Sequence, residues 1–176
     1  MSLNNKSKTP LQIIYFKKWQ STIGPLFLYA TQTHLIGLLF KGDSTDFMKY
    51  YKNAQLIDKS NLIIKDSISQ LKEYFAGKRK QFDLPILLSG TTFQKSVWSE
   101  LSQVPFGKTI TYKEQAKRIK SEKAVRAVGA ANGKNPVAIV IPCHRVIGSN
   151  GKLVGYAGGD KMKSDLLKIE GLLIKS

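Results

Sequence analysis

The sequence predicts an α/β (α+β) protein built from two unlike parts, and three observations support this prediction. Segments 11–16, 25–30 and 34–40 are rich in leucine, β-branched and aromatic residues and are separated by turn-like breaks, which is the pattern of a strand meander. One amphipathic helix is expected to follow them. After residue 92 apolar residues recur at helical spacing, so the second part should be mainly helical.

The helix of the first part is predicted between Asn61 and Gly77. Ser60 and Asn61 can cap its start, and Gly77 can end it. The apolar stripe of this helix consists of Leu62, Ile63, Ile64, Ile68, Leu71 and Phe75. The run 82–88 is either a further strand or an extended connector.

A boundary is predicted at Ser-Gly-Thr-Thr, residues 89–92, because such clusters separate periodic segments. It divides the chain into an amino-terminal α/β domain, residues 1–90, and a carboxy-terminal domain, residues 91–176. The second domain should begin with a helix whose apolar stripe is Phe93, Val97, Trp98 and Leu101.

Two short helices follow in the second part. Thr111 can cap the first, over residues 112–119, and Ser121 can cap the second, which runs to about Asn132. Few residues separate them, which is the outline of a DNA-binding helix-turn-helix.

The second of these helices has an unusual surface. Val125 and Val128 share a face suited to the core, whereas alanine and glycine leave the remainder without bulky side chains, and Arg126 projects from it. Small residues let a helix approach a phosphate chain closely, and one long cation can reach into a groove. The alternative is that the alanines simply favour a helix and Arg126 is solvated.

Asn150-Gly151 lies between apolar residues in the segment 147–154, which is a strong hairpin signal. A flexible loop over residues 155–159 should follow. A hairpin or loop beside a helix-turn-helix would make a winged arrangement. The last helix is predicted over about residues 160–173, with core positions Met162, Leu166, Leu167 and Ile169.

The composition limits the partners and the compartment. Lysine and arginine total 28 against 12 acidic residues, a formal charge of +16, so the surface should attract polyanions, nucleic acid first among them. No apolar run is long enough to span a bilayer, the start lacks the apolar stretch of a signal peptide, and one cysteine cannot form an internal disulfide. We expect a cytoplasmic protein that does not bind membranes.

Cys143, the one cysteine of the chain, is the candidate nucleophile. An apolar approach strand halted by Pro142 indicates a turn that presents it, and His144 and Arg145 follow at once, a setting that favours thiolate over thiol. Neighbours in a strand point to opposite faces, so His144 can assist only if the backbone turns after Pro142 or a water bridges the two; we favour the water. The alternative is a buried structural cysteine.

Residues 93–173 resemble the 6-O-alkylguanine-DNA alkyltransferases, the family of methylated-DNA-protein-cysteine S-methyltransferases. The run Ile-Pro-Cys-His-Arg-Val at 141–146 matches the active-site signature of that family without departure. Further matches in the same order and spacing are Phe106-Gly107, Thr111-Tyr112, Arg126-Ala127-Val128-Gly129, Asn135-Pro136, Gly155-Tyr156-Ala157-Gly158-Gly159 and Leu166 to Gly171.

The resemblance implies a ribonuclease-H-like amino-terminal domain and direct DNA repair. An alkyl group would move from the 6-O position of guanine, with 4-O of thymine a further candidate, to a cysteine after the base has flipped out of the duplex. Each molecule should act once, because no second cysteine can resolve the thioether. The expected partner is double-stranded DNA carrying alkylated guanine, and the protein is expected to be a monomer.

The resemblance also implies an alkyl acceptor with a hydrogen-bonded relay. Cys143 would accept the group, with His144 and Glu170 as relay partners, while Tyr112 would assist the departure of guanine. No cofactor is expected. Some relatives bind a structural zinc in the amino-terminal part, but here that part has no cysteine and only His34, so no metal is predicted.

The remaining roles implied by the resemblance concern the DNA. Arg126 would fill the gap left by the flipped nucleotide, and its neighbour Ala127 would lie on the same DNA-facing surface. Asn135 would join the recognition helix to the active site, with Tyr156 and the backbone near Val146 contacting the flipped base. Positions that would touch the DNA backbone are Ser121, Lys113 and Ser149.

Two other functions compete with this one. A cysteine hydrolase also needs Cys and His, but its histidine is usually distant in sequence and it needs an oxyanion hole. A winged-helix transcription regulator explains the helix-turn-helix and the charge but assigns no role to residues 142–145.

Overall fold

The computed structural model describes residues 12–42 and 45–173, with strands and helices in both halves. The strands are β1 (Ile13–Ser21), β2 (Gly24–Ala30), β3 (Leu35–Leu39), β4 (Gln55–Asp58), β5 (Ile110–Thr111) and β6 (Val146–Ile147). The helices are α1 (Thr45–Met48), α2 (Leu62–Phe75), α3 (Thr92–Leu101), α4 (Tyr112–Arg118), α5 (Val125–Gly133) and α6 (Asp160–Ile169). Short 3₁₀ turns cover Lys49–Tyr51, Glu122–Ala124 and Cys143–Arg145. This mixed content confirms the predicted α/β (α+β) class.

The first half is built on a four-stranded sheet with the order β3-β2-β1-β4. Antiparallel pairing of β1 with β2 and of β2 with β3 confirms the predicted meander. β1 extends beyond its predicted end because its polar residues still pair with β2 as far as Ser21, opposite Gly24. Its predicted start, Leu11, lies outside the described residues. β4 is a further strand, which pairs in parallel with β1 at the sheet edge.

Helix α2 packs one face against this sheet. The Asn61 side chain accepts a hydrogen bond from the Ile64 amide at 3.0 Å, which confirms the predicted cap, and Gly77 follows the helix with a φ of 71°. Leu62 was predicted in the apolar stripe but is 81% exposed. Two residues correspond to about 200° of rotation, so Leu62 and the buried Ile64 lie on nearly opposite sides of the helix.

Backbone hydrogen bonds to β3 join the two halves of the chain. Residues 82–88 form an extended connector, with a single bridge between Leu35 and Ile86, and not a strand of their own. Further along β3, Leu38 is hydrogen-bonded to residues 136 and 138 at 2.8 and 3.0 Å. One cluster of buried apolar side chains spans both halves, so the second half packs directly on the sheet of the first.

Helix α3 begins where the connector ends. Thr91 caps it, and the buried Trp98 indole donates to the Ala131 carbonyl at 2.9 Å, which fixes α3 against α5. The division into residues 1–90 and 91–176 falls just before α3, and it stays a prediction.

Helices α4 and α5 form the predicted pair with a tight turn between them. The Thr111 hydroxyl accepts a hydrogen bond from the Glu114 amide at 3.1 Å, which confirms the predicted cap of α4. The predicted cap of the second helix at Ser121 is wrong. A 3₁₀ turn precedes α5, which begins at Val125, and the Ser121 hydroxyl donates to the Ile119 carbonyl instead.

The hairpin predicted around Asn150-Gly151 is wrong. A turn forms there, closed by the Gly148 amide and the Lys152 carbonyl at 3.0 Å, but no strand follows it. β6 pairs in parallel with β5 instead. The returning strand is missing because the Val154 carbonyl accepts hydrogen bonds from side chains rather than from a partner strand.

Helix α6 is shorter than predicted. It ends at Ile169 because Gly171 adopts a left-handed conformation with a φ of 79°. Leu166 and Leu167 are buried as predicted, whereas Met162 is only partly buried. Among the helices that the structure describes, none combines the length and the apolar character needed to cross a bilayer.

Candidate functional site

A tight backbone turn presents Cys143. The chain reverses at Ile139, a buried β-branched residue with a φ of 71°, where the backbone is strained and must be stabilised by its surroundings. After Pro142 a 3₁₀ turn begins at Cys143, so the backbone does turn between the thiol and His144. The two side chains are therefore not constrained to opposite faces of a strand.

The thiol of Cys143 is buried, with 6% of the residue exposed. Burial raises its pKa, although a hydrogen bond from Asn135 and the charge of Lys163 act in the opposite direction. The Asn135 amide nitrogen lies 3.2 Å from Sγ and 2.7 Å from the Ile141 carbonyl. The expectation that this setting favours thiolate is therefore wrong for the resting protein, because desolvation outweighs the nearby donors.

His144 is fully buried and lies 2.8 Å from Glu170, measured from Nε2 to Oε1. Burial lowers the pKa of His144 despite this carboxylate, so the imidazole is neutral at pH 7. Because an ionised carboxylate can only accept, Nε2 must carry the proton. His144 Nδ1 is then unprotonated, and it has no hydrogen-bond partner among the described residues.

The Glu170 carboxylate is the centre of this network. Burial opposes its ionisation, but hydrogen bonds from His144 and Arg145, together with the charge of Arg145, lower its pKa to about 2. Arg145 donates to both oxygens at 2.9 Å, and the Gly107 amide donates to Oε2 at 3.0 Å. Tyr74, from α2, donates to Oε1 at 2.8 Å. Both carboxylate oxygens are thus occupied by several donors.

Tyr112 and Lys163 share one acceptor near the thiol. The Tyr112 hydroxyl and the Lys163 ammonium donate to the Val154 carbonyl at 3.0 and 2.8 Å. The ammonium also lies 5.7 Å and 5.9 Å from the ring centroids of Tyr112 and Tyr156. Burial raises the pKa of Tyr112 to about 12 and lowers that of Lys163 to about 8, so the phenol stays protonated.

A cavity of about 230 Å³ opens beside Cys143. Asn135 and Ala157 line it from the second half, and Phe40 and Phe47 line it from the first. Tyr156 packs against Phe40 with ring centroids 5.4 Å apart. The predicted base-contacting residue Val146 is fully buried one turn beyond the thiol.

Most of the predicted DNA-facing residues lie on the surface of the second half. Lys113 on α4, together with Arg126 and Ala127 on α5, is exposed, and so is Ser149 in the turn after β6. Ser121 is partly buried between the helices. Within the described part of the chain, no carboxylate lies within ion-pairing distance of Arg126, so its guanidinium is available to an external anion.

The structure brings together the predicted Cys143, His144, Glu170 and Asn135, and it adds three residues to them. Tyr74 and Arg145 bond to Glu170, and the charge of Lys163 acts on the thiol. Tyr74 and Lys163 were assigned no role from the sequence, and Arg145 was expected only to favour the thiolate. Lys163 carried a signal, because it precedes the buried Leu166 and Leu167 by one helical turn and so lies on the apolar face of α6.

Two family models match the chain. The ribonuclease-like domain of 6-O-methylguanine DNA methyltransferase matches residues 14–88, and its DNA binding domain matches residues 92–172. The methylated-DNA–protein-cysteine methyltransferase of Methanosarcina acetivorans is 45% identical over 90% of this chain and 99% of that protein. The inducible enzyme of that name from Bacillus subtilis is 39% identical over 94% of this chain and 92% of its own.

The fold is similar to that of Mycobacterium tuberculosis OGT in a crystal structure of its complex with DNA. The TM-score is 0.78 and the identity 39%, over 89% of this chain and 92% of the other. Together with the ribonuclease-like match, this similarity confirms the expected two-part architecture.

Proposed function

Because the chain belongs to the 6-O-methylguanine DNA methyltransferase family, we propose that it repairs DNA by moving a methyl or other alkyl group from 6-O of guanine to Cys143. One observation is central to this proposal. His144, the residue that follows Cys143, is neutral and donates its Nε2–H to Glu170, so that Nδ1 is unprotonated and can act as a base.

The transfer begins with removal of the thiol proton. His144 Nδ1, which has no hydrogen-bond partner among the described residues, accepts it through one water, and Glu170 stabilises the imidazolium that forms. The Asn135 amide and the Lys163 ammonium stabilise the thiolate. A thiolate is the soft nucleophile that attack on an alkyl carbon requires.

Sγ then attacks the alkyl carbon as the bond from that carbon to 6-O of guanine breaks. The electron pair of the broken bond leaves with guanine, which takes up one proton. The thiol has lost one proton, so protons and charge balance over the whole reaction. Tyr112 stabilises the leaving base as a hydrogen-bond donor, since its raised pKa keeps it protonated. To reach the base its hydroxyl must leave the Val154 carbonyl, which Lys163 continues to bind.

The target base must leave the duplex to reach the buried thiol. Unstacking costs a few kcal/mol, which contacts to the DNA must offset. We propose that α5 enters a groove with Arg126 in the gap, while Ala127 allows close approach and Ser121, Lys113 and Ser149 contact phosphates. The flipped base would enter the cavity beside Cys143, against Tyr156, Asn135 and the backbone near Val146.

The thioether product has no good leaving group, so we propose that each molecule acts once. We also propose that the protein works as a monomer in the cytoplasm on duplex DNA carrying alkylated guanine. The chemistry described here uses only side chains of this chain, and it requires no metal or cofactor.

Intact-protein mass analysis after incubation with duplex DNA containing 6-O-methylguanine tests the proposal. We expect one added methyl group on the wild type and none on Cys143→Ala, which should still bind the duplex. An unchanged wild-type mass would contradict the proposal and favour a DNA-binding regulator. Methyl transfer by Cys143→Ala would exclude Cys143 as the acceptor.

Arg126→Ala should lower methyl transfer from duplex DNA by about tenfold, which corresponds to the loss of about 1.4 kcal/mol of compensation for unstacking. Reaction with free 6-O-methylguanine should be unaffected, because no duplex has to open. Arg79→Ala is a matched control, since it removes the same charge from a side chain that pairs with Glu73 in the first half. Equal losses with both substrates would exclude the role proposed for Arg126.

A further inference from the structure

Tyr74 is a residue of the first half that contacts the relay of the second. It lies on α2, is fully buried, and donates its hydroxyl proton to Glu170 Oε1 at 2.8 Å. The same hydroxyl oxygen lies 3.4 Å from His144 Nε2. The amino-terminal half therefore supplies a polar group that contacts both His144 and Glu170, the two residues proposed to activate Cys143.

The direction of these hydrogen bonds follows from charge. Glu170 is ionised and can only accept, so Tyr74 must donate to it. Burial, together with the charge of Glu170, raises the pKa of Tyr74 far above its ordinary range, so the hydroxyl stays protonated. Its remaining lone pairs are on the oxygen that lies near the Nε2–H of His144. The contacts of His144 Nε2 with Glu170 and with the Tyr74 oxygen both favour the tautomer in which Nε2 is protonated and Nδ1 is not.

The ring of Tyr74 is packed so that the hydroxyl cannot easily move away. It contacts Phe82 with ring centroids 5.4 Å apart, and Phe106 in an edge-on arrangement at 6.3 Å. Phe106 precedes Gly107, whose amide donates to the other oxygen of Glu170. The Glu170 carboxylate is therefore held by Tyr74 from the first half and by Gly107 from the second, and the ring of Tyr74 packs against Phe106, the neighbour of Gly107.

We infer that Tyr74 is a positioning residue for alkyl transfer, which fixes the Glu170 carboxylate and, through it, the tautomer and orientation of His144. This inference rests on the proposed function of the Cys143 site. It assigns the amino-terminal half a part in the chemistry in addition to its packing against the second half. Within the described part of the chain, the Tyr74 hydroxyl bonds to Glu170 and His144 and not to the thiol, so it acts through the relay.

The test compares Tyr74→Phe with Tyr51→Phe under single-turnover conditions, with methylated duplex DNA at saturating concentration. Tyr51 is a matched control because it is also a buried tyrosine of the first half, and among the described residues its hydroxyl bonds to Ser89 alone, at 3.0 Å. We expect Tyr74→Phe to transfer the methyl group about tenfold more slowly with unchanged DNA affinity. The reason is that a misoriented His144 removes the thiol proton less effectively. Tyr51→Phe should match the wild type.

The pH profile separates positioning from a structural role. The charged and titratable groups that act on His144 are Glu170, Arg145, Lys163 and Tyr74, and Cys143 precedes it in the chain. Removing the Tyr74 hydroxyl leaves the charge of Glu170 less neutralised, which raises the pKa of His144. The acidic limb of the rate profile should therefore move to higher pH in Tyr74→Phe. A slower variant with an unmoved limb would contradict the inference.

Nitrogen NMR of the imidazoles gives an independent readout that does not depend on turnover. The chain has two histidines, so His34→Gln assigns the His144 signals. We expect a protonated Nε2 and an unprotonated Nδ1 in the wild type, and a raised pKa of His144 in Tyr74→Phe. A wild-type Nδ1–H tautomer overturns the inference even if Tyr74→Phe does not fold. Absence of methyl transfer by the wild type would instead contradict the proposed function, and the NMR result would still decide the role of Tyr74.

Discussion

Glu170→Gln is expected to slow methyl transfer by at least about 100-fold and to lower the free energy of unfolding by about 3 kcal/mol. The rate falls because an amide cannot stabilise the imidazolium of His144, and general bases contribute about 10²–10⁴-fold. The stability falls because the buried Arg145 guanidinium loses its counter-charge, which costs about 3–5 kcal/mol in buried pairs. Single-turnover rates and urea unfolding measure the two effects.

Glu100→Gln is the matched control for this change. Glu100 pairs with Arg118 on the surface of the second half, at 3.3 Å, so its replacement should leave the rate unchanged and the stability nearly so. If Glu170→Gln transferred the methyl group at the wild-type rate, the relay would be excluded.

Acid unfolding provides a second readout of Glu170. Its pKa in the folded protein, about 2, lies below the ordinary value of 4.5, so the carboxylate contributes stability above pH 4.5. That contribution is lost as the pH falls through about 2. The glutamine variant should lack this part of the pH dependence, and an unchanged acid profile would contradict the assigned pKa.

Asn135→Leu is expected to have the second-largest effect, because one side chain serves both the backbone and the thiol. Its amide donates to the Ile141 carbonyl and to Cys143 Sγ, and its oxygen accepts from the Val137 amide at 3.0 Å. Leucine leaves the buried Val137 amide unpaired, whereas the Ile141 carbonyl keeps the hydrogen bond from the Cys143 amide. We therefore expect a loss of about 2 kcal/mol of stability. Loss of the donor to sulfur should lower the transfer rate about tenfold by raising the pKa of Cys143.

Asn61→Leu separates these two effects. Asn61 also makes two side-chain hydrogen bonds to backbone groups, with Ile64 and Thr31, but it lies in the first half and caps α2. It should lower stability and leave the transfer rate unchanged at temperatures where the variant is folded. If Asn135→Leu behaved in the same way, the contact with the thiol would have no role in the reaction.

Features set by local chemistry could be predicted from the sequence. The caps at Asn61 and Thr111 depend on side chains that bond to amides three residues ahead, and both are present. The strand meander and helix α3 likewise follow from periodicity and turn residues within short windows. Cys143 and His144 could be named together as candidates because the two residues are adjacent.

Features set by distant contacts could not be predicted in this way. β4 has four residues, too few to show a periodic pattern, and it is a strand because it pairs in parallel with β1, which lies much earlier in the chain. The turn at Asn150-Gly151 formed without its second strand, since the Val154 carbonyl is bound by the side chains of Tyr112 and Lys163. A short stretch of sequence does not show that side chains from other elements will bind a backbone carbonyl that a strand would need for pairing.

The relay shows the same limit. Tyr74 and Glu170 are separated by 96 positions, and nothing near Tyr74 in the sequence distinguishes it from a core tyrosine. The raised pKa of Cys143 was also not accessible from its neighbours, because it results from burial by the whole fold.

The central claim is that Cys143 accepts one alkyl group and is then spent. The most direct measurement is the stoichiometry of transfer when the protein meets a large excess of duplex DNA carrying labelled 6-O-methylguanine, followed by a second addition of substrate. We predict a plateau at one methyl group per chain, located on Cys143 by peptide mapping, with no further transfer after the second addition. Removal of more than one methyl group from DNA per chain, or a label on any other residue, would contradict the account.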